Sequence, residues 1–231
     1  MFYLYLLGVI IFIIMLFYAI IKIRFRFWSI QPVFHFYNLW YWMFPPGIII
    51  QDVPEKNKYT NLKDIKFINY ASLNSIDQER FIKFIQDHYL NTTEVQYKPE
   101  KGNIVPYFKN TKNSFFSMYF KESYDTDASS NIITSSNLIA VMTSRLLNVS
   151  INNNDFTTYY VDYLCVHKDH RKQGIAQQII QTHDYYQRNN TITPTSFFKR
   201  EGQLNAIVPL VVYRTYGFNM EYWNKSIDIH P

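Results

Sequence analysis

Cysteine is almost missing from this chain: Cys165 is the single one among 231 residues. One thiol excludes an intramolecular disulfide framework and leaves no cysteine pair for a structural zinc site. Charge imbalance is also slight, with a formal net charge of +5. That suits an anionic ligand or a membrane surface, and it is too weak to argue for nucleic acid. No basic helix interleaved with aromatics occurs, so nucleic acid is not an expected partner. Internal repeats are absent, as is low-complexity sequence beyond an Asn/Ser stretch near residues 125–136. Charged side chains are missing altogether from Phe2 to Ile21, where nearly every residue is large and apolar. Aromatic residues, by contrast, make up 19% of the chain, far more than a disordered polymer carries.

The apolar run is long enough to cross a bilayer, since twenty helical residues span about 30 Å. A cleaved signal peptide would need a basic leader and a small-residue cleavage site, and neither is evident. Lys22, Arg24 and Arg26 follow the run, while only the amino terminus precedes it. The bias of cations towards the cytoplasmic side then places everything after Ile21 in the cytosol. The expectation is a single-pass membrane protein whose soluble domain faces the cytosol, at a host-cell or virion membrane. Sequons at Asn91, Asn148, Asn189 and Asn224 would be modified only in a lumenal domain. The expected organisation is an anchor over 1–24, an aromatic-rich segment over 25–60 packing near the membrane, and a folded domain over 61–231.

Within that domain, alternation of apolar and polar residues predicts strands over Asp64–Tyr70, Ser114–Lys121, Asn137–Ser150 and Phe156–His167. Asn152–Asp155 reads as a turn and Asp125–Ser136 as a polar loop. Helical spacing of Phe81, Phe84, Ile85 and Tyr89 predicts a helix capped by Asp77. A second helix follows Gly174 to about Arg188, then a short strand over Thr195–Phe198. A third helix is expected over Leu204–Tyr216, capped by Gly217, with a last strand over Phe218–Ser226. Antiparallel strands followed by strand–helix–strand units define an α/β fold with a mixed, mostly antiparallel twisted sheet flanked by helices.

The most informative stretch runs from Tyr163 to Ile180. A β-branched and aromatic strand gives way to a basic turn and enters a helix at a glycine. Backbone N–H groups, the positive end of a helix dipole, and Arg171 and Lys172 therefore converge on one point, which is how proteins bind phosphate. Arg171-Lys172-Gln173-Gly174-Ile175-Ala176 resembles the Q-x-x-G-x-G/A pyrophosphate loop of acyl-CoA-dependent N-acyltransferases of the GNAT superfamily. Tyr213-Arg214-Thr215-Tyr216-Gly217-Phe218 is similar to their Y-x-x-x-G-F element. Asp162-Tyr163-Leu164-Cys165-Val166-His167-Lys168 with Arg171 looks like the N-F-L-C-V-H-K-K-L-R motif of glycylpeptide N-myristoyltransferases. Phe27-Trp28-Ser29-Ile30-Gln31-Pro32-Val33 resembles their F-W-x-T-Q-P-V segment. His88–Asn91 and Leu138–Ile151 add weaker matches, in the same order along the chain.

That resemblance implies a single GNAT-like domain, similar to the N-terminal half of the myristoyltransferases, in a viral, membrane-anchored relative. It implies transfer of an acyl group from acyl-CoA (acetyl-CoA or a long-chain ester) to an amine acceptor, either a peptide N-terminus or a small molecule. Amides of Tyr163 and Leu164 would polarise the thioester carbonyl, and Tyr213 would protonate the departing thiolate. Val166, Arg171, Lys172, Gln173, Gly174, Ile175 and Ala176 would hold pantetheine and diphosphate, with Phe27 and Trp28 covering the cofactor. No metal is expected. The myristoyltransferases have two such halves, and the acceptor-activating carboxylate lies in the second, so no general base is assigned. A plain N-acetyltransferase and a catalytically silent membrane or virion protein of the same fold remain open. His167 and His170 read as solvated or cofactor-facing, and Cys165 as a small buried strand residue.

Overall fold

The computed structural model describes residues 1–90, 97–109, 111, 113–126, 132–200, 206–214 and 216. Contacts divide the chain into two compact units, Met1–Pro46 with the described residues after Gly202, and Gly47–Glu201.

In the first unit, helix α1 covers Phe2–Arg24 and ends in the basic pair Lys22 and Arg24. Its 23 residues are long and apolar enough to cross a membrane. A turn of 3₁₀ helix at Trp28–Ile30 leads to the short helix α2, Leu39–Met43, whose first turn is capped by the Asn38 side chain. Phe36 and Tyr37 set their rings edge-on to Phe17 and Tyr18 of α1. An antiparallel bridge joins His35 to Ile207, flanked by hydrogen bonds from Phe36 N to Ala206 O and from Val208 N to Phe34 O. Apart from this bridge residues 206–214 are irregular, and the helix expected over Leu204–Tyr216 is absent from its described part. Pro209 explains the difference: it lacks an N–H and its ring clashes with the preceding turn, while Ile207, Val208, Val211 and Val212 favour extended backbone. The Gly217 cap and the Phe218–Ser226 strand lie outside the described residues.

The second unit is built on five strands: β1 Ile65–Asn69, β2 Phe115–Thr126, β3 Ile132–Ile151, β4 Asn154–Val166 and β5 Ser196–Phe198. They lie in sequence order, β1 to β4 antiparallel and β4–β5 parallel. This is the mixed, mostly antiparallel sheet that the sequence implies. The β3–β4 hairpin closes on Asn152 and Asn153, both at positive φ (50° and 62°), the two-residue turn that matches strand twist. β2 and β3 run further than expected, and Ser123–Thr126 pair with Ile132–Ser135 where a polar loop was anticipated. The Ser123 and Ser135 hydroxyls meet at 2.6 Å, so polar cross-strand pairs sustain the ladder.

Helix α3, Ser75–His88, covers one face of the sheet together with the short helices α4, Lys101–Ile104, and α5, Pro106–Lys109. Phe81, Ile85 and Phe108 pack there on Phe116, Met118 and Val141, all essentially inaccessible. Asn74, not Asp77, caps α3: its side chain accepts from the Asp77 amide at 2.7 Å and donates to the Asp77 carboxylate. Asp77 sits at the third helical position, where its carboxylate accepts from the Asn74 side-chain amide at 3.0 Å.

Helix α6, Ile175–Asn190, covers the other face. Ile175 and Ile179 meet Ile65, Ala140 and Met142, but the second half of the helix buries polar groups instead. Ser117 Oγ bonds His183 Nδ1 (2.8 Å), and His183 Nε2 bonds Ser144 Oγ (2.7 Å). Ser144 donates onward to Gln187, which donates to Ser196. Because Ser144 gives its own proton to Gln187, His183 must carry its hydrogen on Nε2 and accept from Ser117 at Nδ1.

Candidate active site

β4 pairs residue for residue with β3 until the register breaks. Ser144 pairs with Val161 but Met142 pairs with Leu164, so Asp162 and Tyr163 together oppose Thr143. This is a β-bulge, and it brings Tyr163 to the face that already carries Tyr160 and Asp162. The Tyr163 N–H donates to Thr143 Oγ1 at 3.1 Å. Beyond the bulge, the His167 amide donates to Ile139 O on β3. The two-residue period then directs the peptide groups of Leu164 and Val166 to the opposite edge. β5 pairs only with Tyr159, Tyr160 and Val161, so from Asp162 onward that edge has no strand partner among the described residues. A parallel neighbour that stops short while its partner continues leaves a cleft at the carboxyl end of the strand, where open α/β sheets bind ligands.

The cleft leads straight into the helix. Val166 O accepts from Arg171 Nε (3.2 Å), and another Arg171 nitrogen donates to His88 O at the end of α3 (3.1 Å). Gln173 donates to Asp169 O within the loop. Lys172 takes a positive φ of 63° and Gly174 one of 80°. An αL residue with a side chain costs free energy, so at Gly174 the backbone favours glycine. A Cβ there would meet only Gln177 Oε1, at 3.8 Å, so the space above the loop is open. Gly174 is the N-cap and offers no capping side chain. The first intrahelical bond runs from Gln178 N to Gly174 O, leaving the amides of Ile175, Ala176 and Gln177 without intrahelical acceptors.

One strand–loop–helix segment thus brings together Tyr163, Leu164, Val166 and Arg171–Ala176 of the expected site. It does so with two changes of role: the Tyr163 amide already has an acceptor, and the Arg171 guanidinium staples two chain ends. Phe27 and Trp28, edge to face at 5.0 Å, belong to the other unit, as does the exposed Tyr213. Cys165 points into the α3-side core, where burial pushes its thiol up to about 12, far from a nucleophile at neutral pH. Among the described residues no group of three or more His, Cys, Asp or Glu could hold a metal.

Sequence reasoning missed two features. The His88 and His167 rings lie 4.1 Å apart between centroids, tilted by 52°, with His170 at 5.6 Å from His167. Burial, then the neighbouring His167, lowers the His88 pKa below the usual imidazole value. Arg145 and Asp162 form an ion pair at 3.0 Å beside the bulge, in a groove of about 460 Å³ walled by tyrosines. Burial raises the Asp162 pKa, and the Arg145 hydrogen bond and charge pull it back. Spacing could not reveal either cluster, because His88 comes from α3, far from His167 in sequence, and the pairing of Arg145 with Asp162 depends on the register beside the bulge.

Comparison with known proteins gives no matching family model and no matching curated protein. Among solved structures the chain is similar to an aminoglycoside acetyltransferase from an uncultured soil metagenomic sample, at 12% identity over 67% of this chain and 95% of that one, with a TM-score of 0.43. A GNAT family acetyltransferase of Staphylococcus aureus matches at 14% identity over 68% and 97%, TM-score 0.38. Glucosamine-6-phosphate N-acetyltransferase of Arabidopsis thaliana matches at 9% over 67% and 99%, TM-score 0.39. At these values the likeness assigns neither family nor reaction.

Proposed function

We propose that the protein is an acyl-CoA-dependent N-acyltransferase held at a membrane by α1. The observation that supports this best is the unpaired edge of β4 running from the bulge into the uncapped N-terminus of α6. An extended pantetheine arm can pair with the Leu164 peptide group and the Val166 N–H as a missing strand would, the Val166 carbonyl being already engaged by Arg171. The diphosphate meets the amides of Ile175 and Ala176, the helix dipole and Lys172. The Leu164 N–H faces the cleft and polarises the thioester carbonyl, a contribution of roughly 3–4 kcal/mol for one donor. Long-chain esters and acetyl-CoA both fit this edge, and the acyl length follows from which ester binds more tightly, since each buried methylene adds about 0.8 kcal/mol.

A CoA-binding protein without turnover is the second reading. It is favoured by the Tyr163 amide, which already donates to Thr143 and so leaves one of the two expected carbonyl-polarising donors engaged.

The test is CoA binding by thermal shift, followed by turnover. Saturating CoA is expected to stabilise the protein by a few kcal/mol for a micromolar site. Gly174→Glu places a carboxylate at the diphosphate position and should abolish that shift while circular dichroism stays unchanged. CoA affinity unaltered by this substitution would remove the loop from the site.

A further inference from the structure

The tyrosine-walled groove beside the bulge has a charged floor that serves no step described above. Arg145 Nε donates to both oxygens of Asp162, at 3.0 and 3.1 Å, and the Asp162 side chain is 8% exposed. The guanidinium is also held by its faces, with Tyr107 at 5.6 Å and Tyr160 at 5.7 Å from the ring centroids. Fixed in these ways, it keeps its two terminal nitrogens without a hydrogen-bond partner among the described residues. Tyr89 and Tyr97, edge to face at 6.0 Å, complete the wall.

A buried ion pair contributes little net stability, so packing alone does not account for it. A guanidinium with its fork free matches a carboxylate, and a carboxylate bonded on one side still accepts from an ammonium. A dication such as a polyamine would face the Arg145 charge, and a simple carboxylic acid would face Asp162. A ligand carrying both charges meets both groups and adds no net charge to the groove. The rings supply apolar faces for a large side chain.

We propose that the groove is the acceptor subsite and that its acceptor is an α-amino acid with an aromatic or large apolar side chain. Its carboxylate lies on the terminal nitrogens of Arg145, its ammonium on Asp162, and its side chain among Tyr89, Tyr97 and Tyr107. Asp162 belongs to the bulge, two residues before Leu164, so the amino group is delivered next to the amide assigned to the thioester carbonyl. The ammonium passes one proton to Asp162, the amine bonds to the carbonyl carbon as the carbon–sulfur bond breaks, and its second proton leaves with the CoA thiolate. The word acceptor rests on the N-acyltransferase reading; recognition of a zwitterion rests on the groove alone.

Calorimetry on the full chain in detergent micelles, without CoA, separates the two. L-phenylalanine is expected to bind, with phenethylamine and 3-phenylpropanoate each weaker by about tenfold or more, because each leaves one charged group unmet. Arg145→Gln should weaken L-phenylalanine by a similar factor and leave phenethylamine no weaker, since it removes the like charge that an ammonium faces. Arg145→Lys, which keeps the charge and loses the fork, should fall between, and CoA binding by both variants reports an intact fold. Phenethylamine or spermidine binding as tightly as L-phenylalanine overturns the proposal. So does absence of amino-acid binding at millimolar concentration in protein that binds CoA. L-phenylalanine binding without CoA binding would leave the zwitterion site standing and remove the acyltransfer reading.

Discussion

His183 shows how a single residue sets both the shape and the pH response of this sheet. It is fully enclosed, and burial pushes its imidazole down to about 3 from 6.5, with the Gln187 hydrogen bond opposing. The folded protein therefore keeps it neutral where the unfolded chain protonates it. Stability from this residue is complete above pH 6.5 and is lost progressively as pH falls towards 3, at up to about 1.4 kcal/mol per pH unit. Neighbouring Asp184 has the opposite sign: burial raises its carboxyl to about 6 from 3.8, so the folded state gains as pH falls through that window. Comparison with His183→Gln cancels the Asp184 contribution. In urea denaturation the wild-type advantage over this variant should shrink by roughly 1.4 kcal/mol per unit between pH 6.5 and 4. A gap that does not change with pH would mean that the folded protein binds this proton.

Strands β2, β3 and β4 and helices α3 and α6 were legible because alternation and helical spacing are direct records of which face is buried. What was not legible was the element's local geometry. A bulge adds one residue without changing composition, so nothing in Asp162-Tyr163-Leu164 announces that two residues will face one, and Arg145, which meets Asp162 across the ladder, stayed hidden with it. The segment around Pro209 went the other way: apolar spacing suggested helix, and the proline and β-branched residues that forbid one were given too little weight. Polar Ser135 looked like loop because strand propensity is judged on apolar faces. At the bulge itself, Thr143→Val keeps shape and removes the acceptor of the Tyr163 amide. Leaving that buried donor unmet should cost about 1–3 kcal/mol in denaturant unfolding. A neutral substitution would show that the amide finds another acceptor, as a bulge free to shift its register could provide.

Across the whole molecule, the proposed membrane insertion of α1 would decide which compartment the β4 edge serves. CoA esters and a reduced Cys165 belong to the cytosol, so the proposed reaction requires that the chain after Arg24 face it. The cations Lys22, Arg24 and Arg26 at the exit of α1 favour that orientation by the positive-inside rule. Two of the sequons make the orientation measurable, because Asn148 on β3 and Asn189 at the end of α6 are both exposed. On the lumenal side each would be open to glycan transfer; on the cytosolic side neither meets the transferase. Expressed in a cell with a secretory pathway, the full chain should sediment with membranes after carbonate extraction and show no mobility change on glycosidase treatment. A chain with an engineered sequon ahead of Phe2, spaced from the bilayer by a polar linker, should gain one glycan and serve as the control. Glycans on Asn148 or Asn189 would place the β4 edge away from CoA, and a carbonate-soluble chain would show that α1 does not hold it in the bilayer.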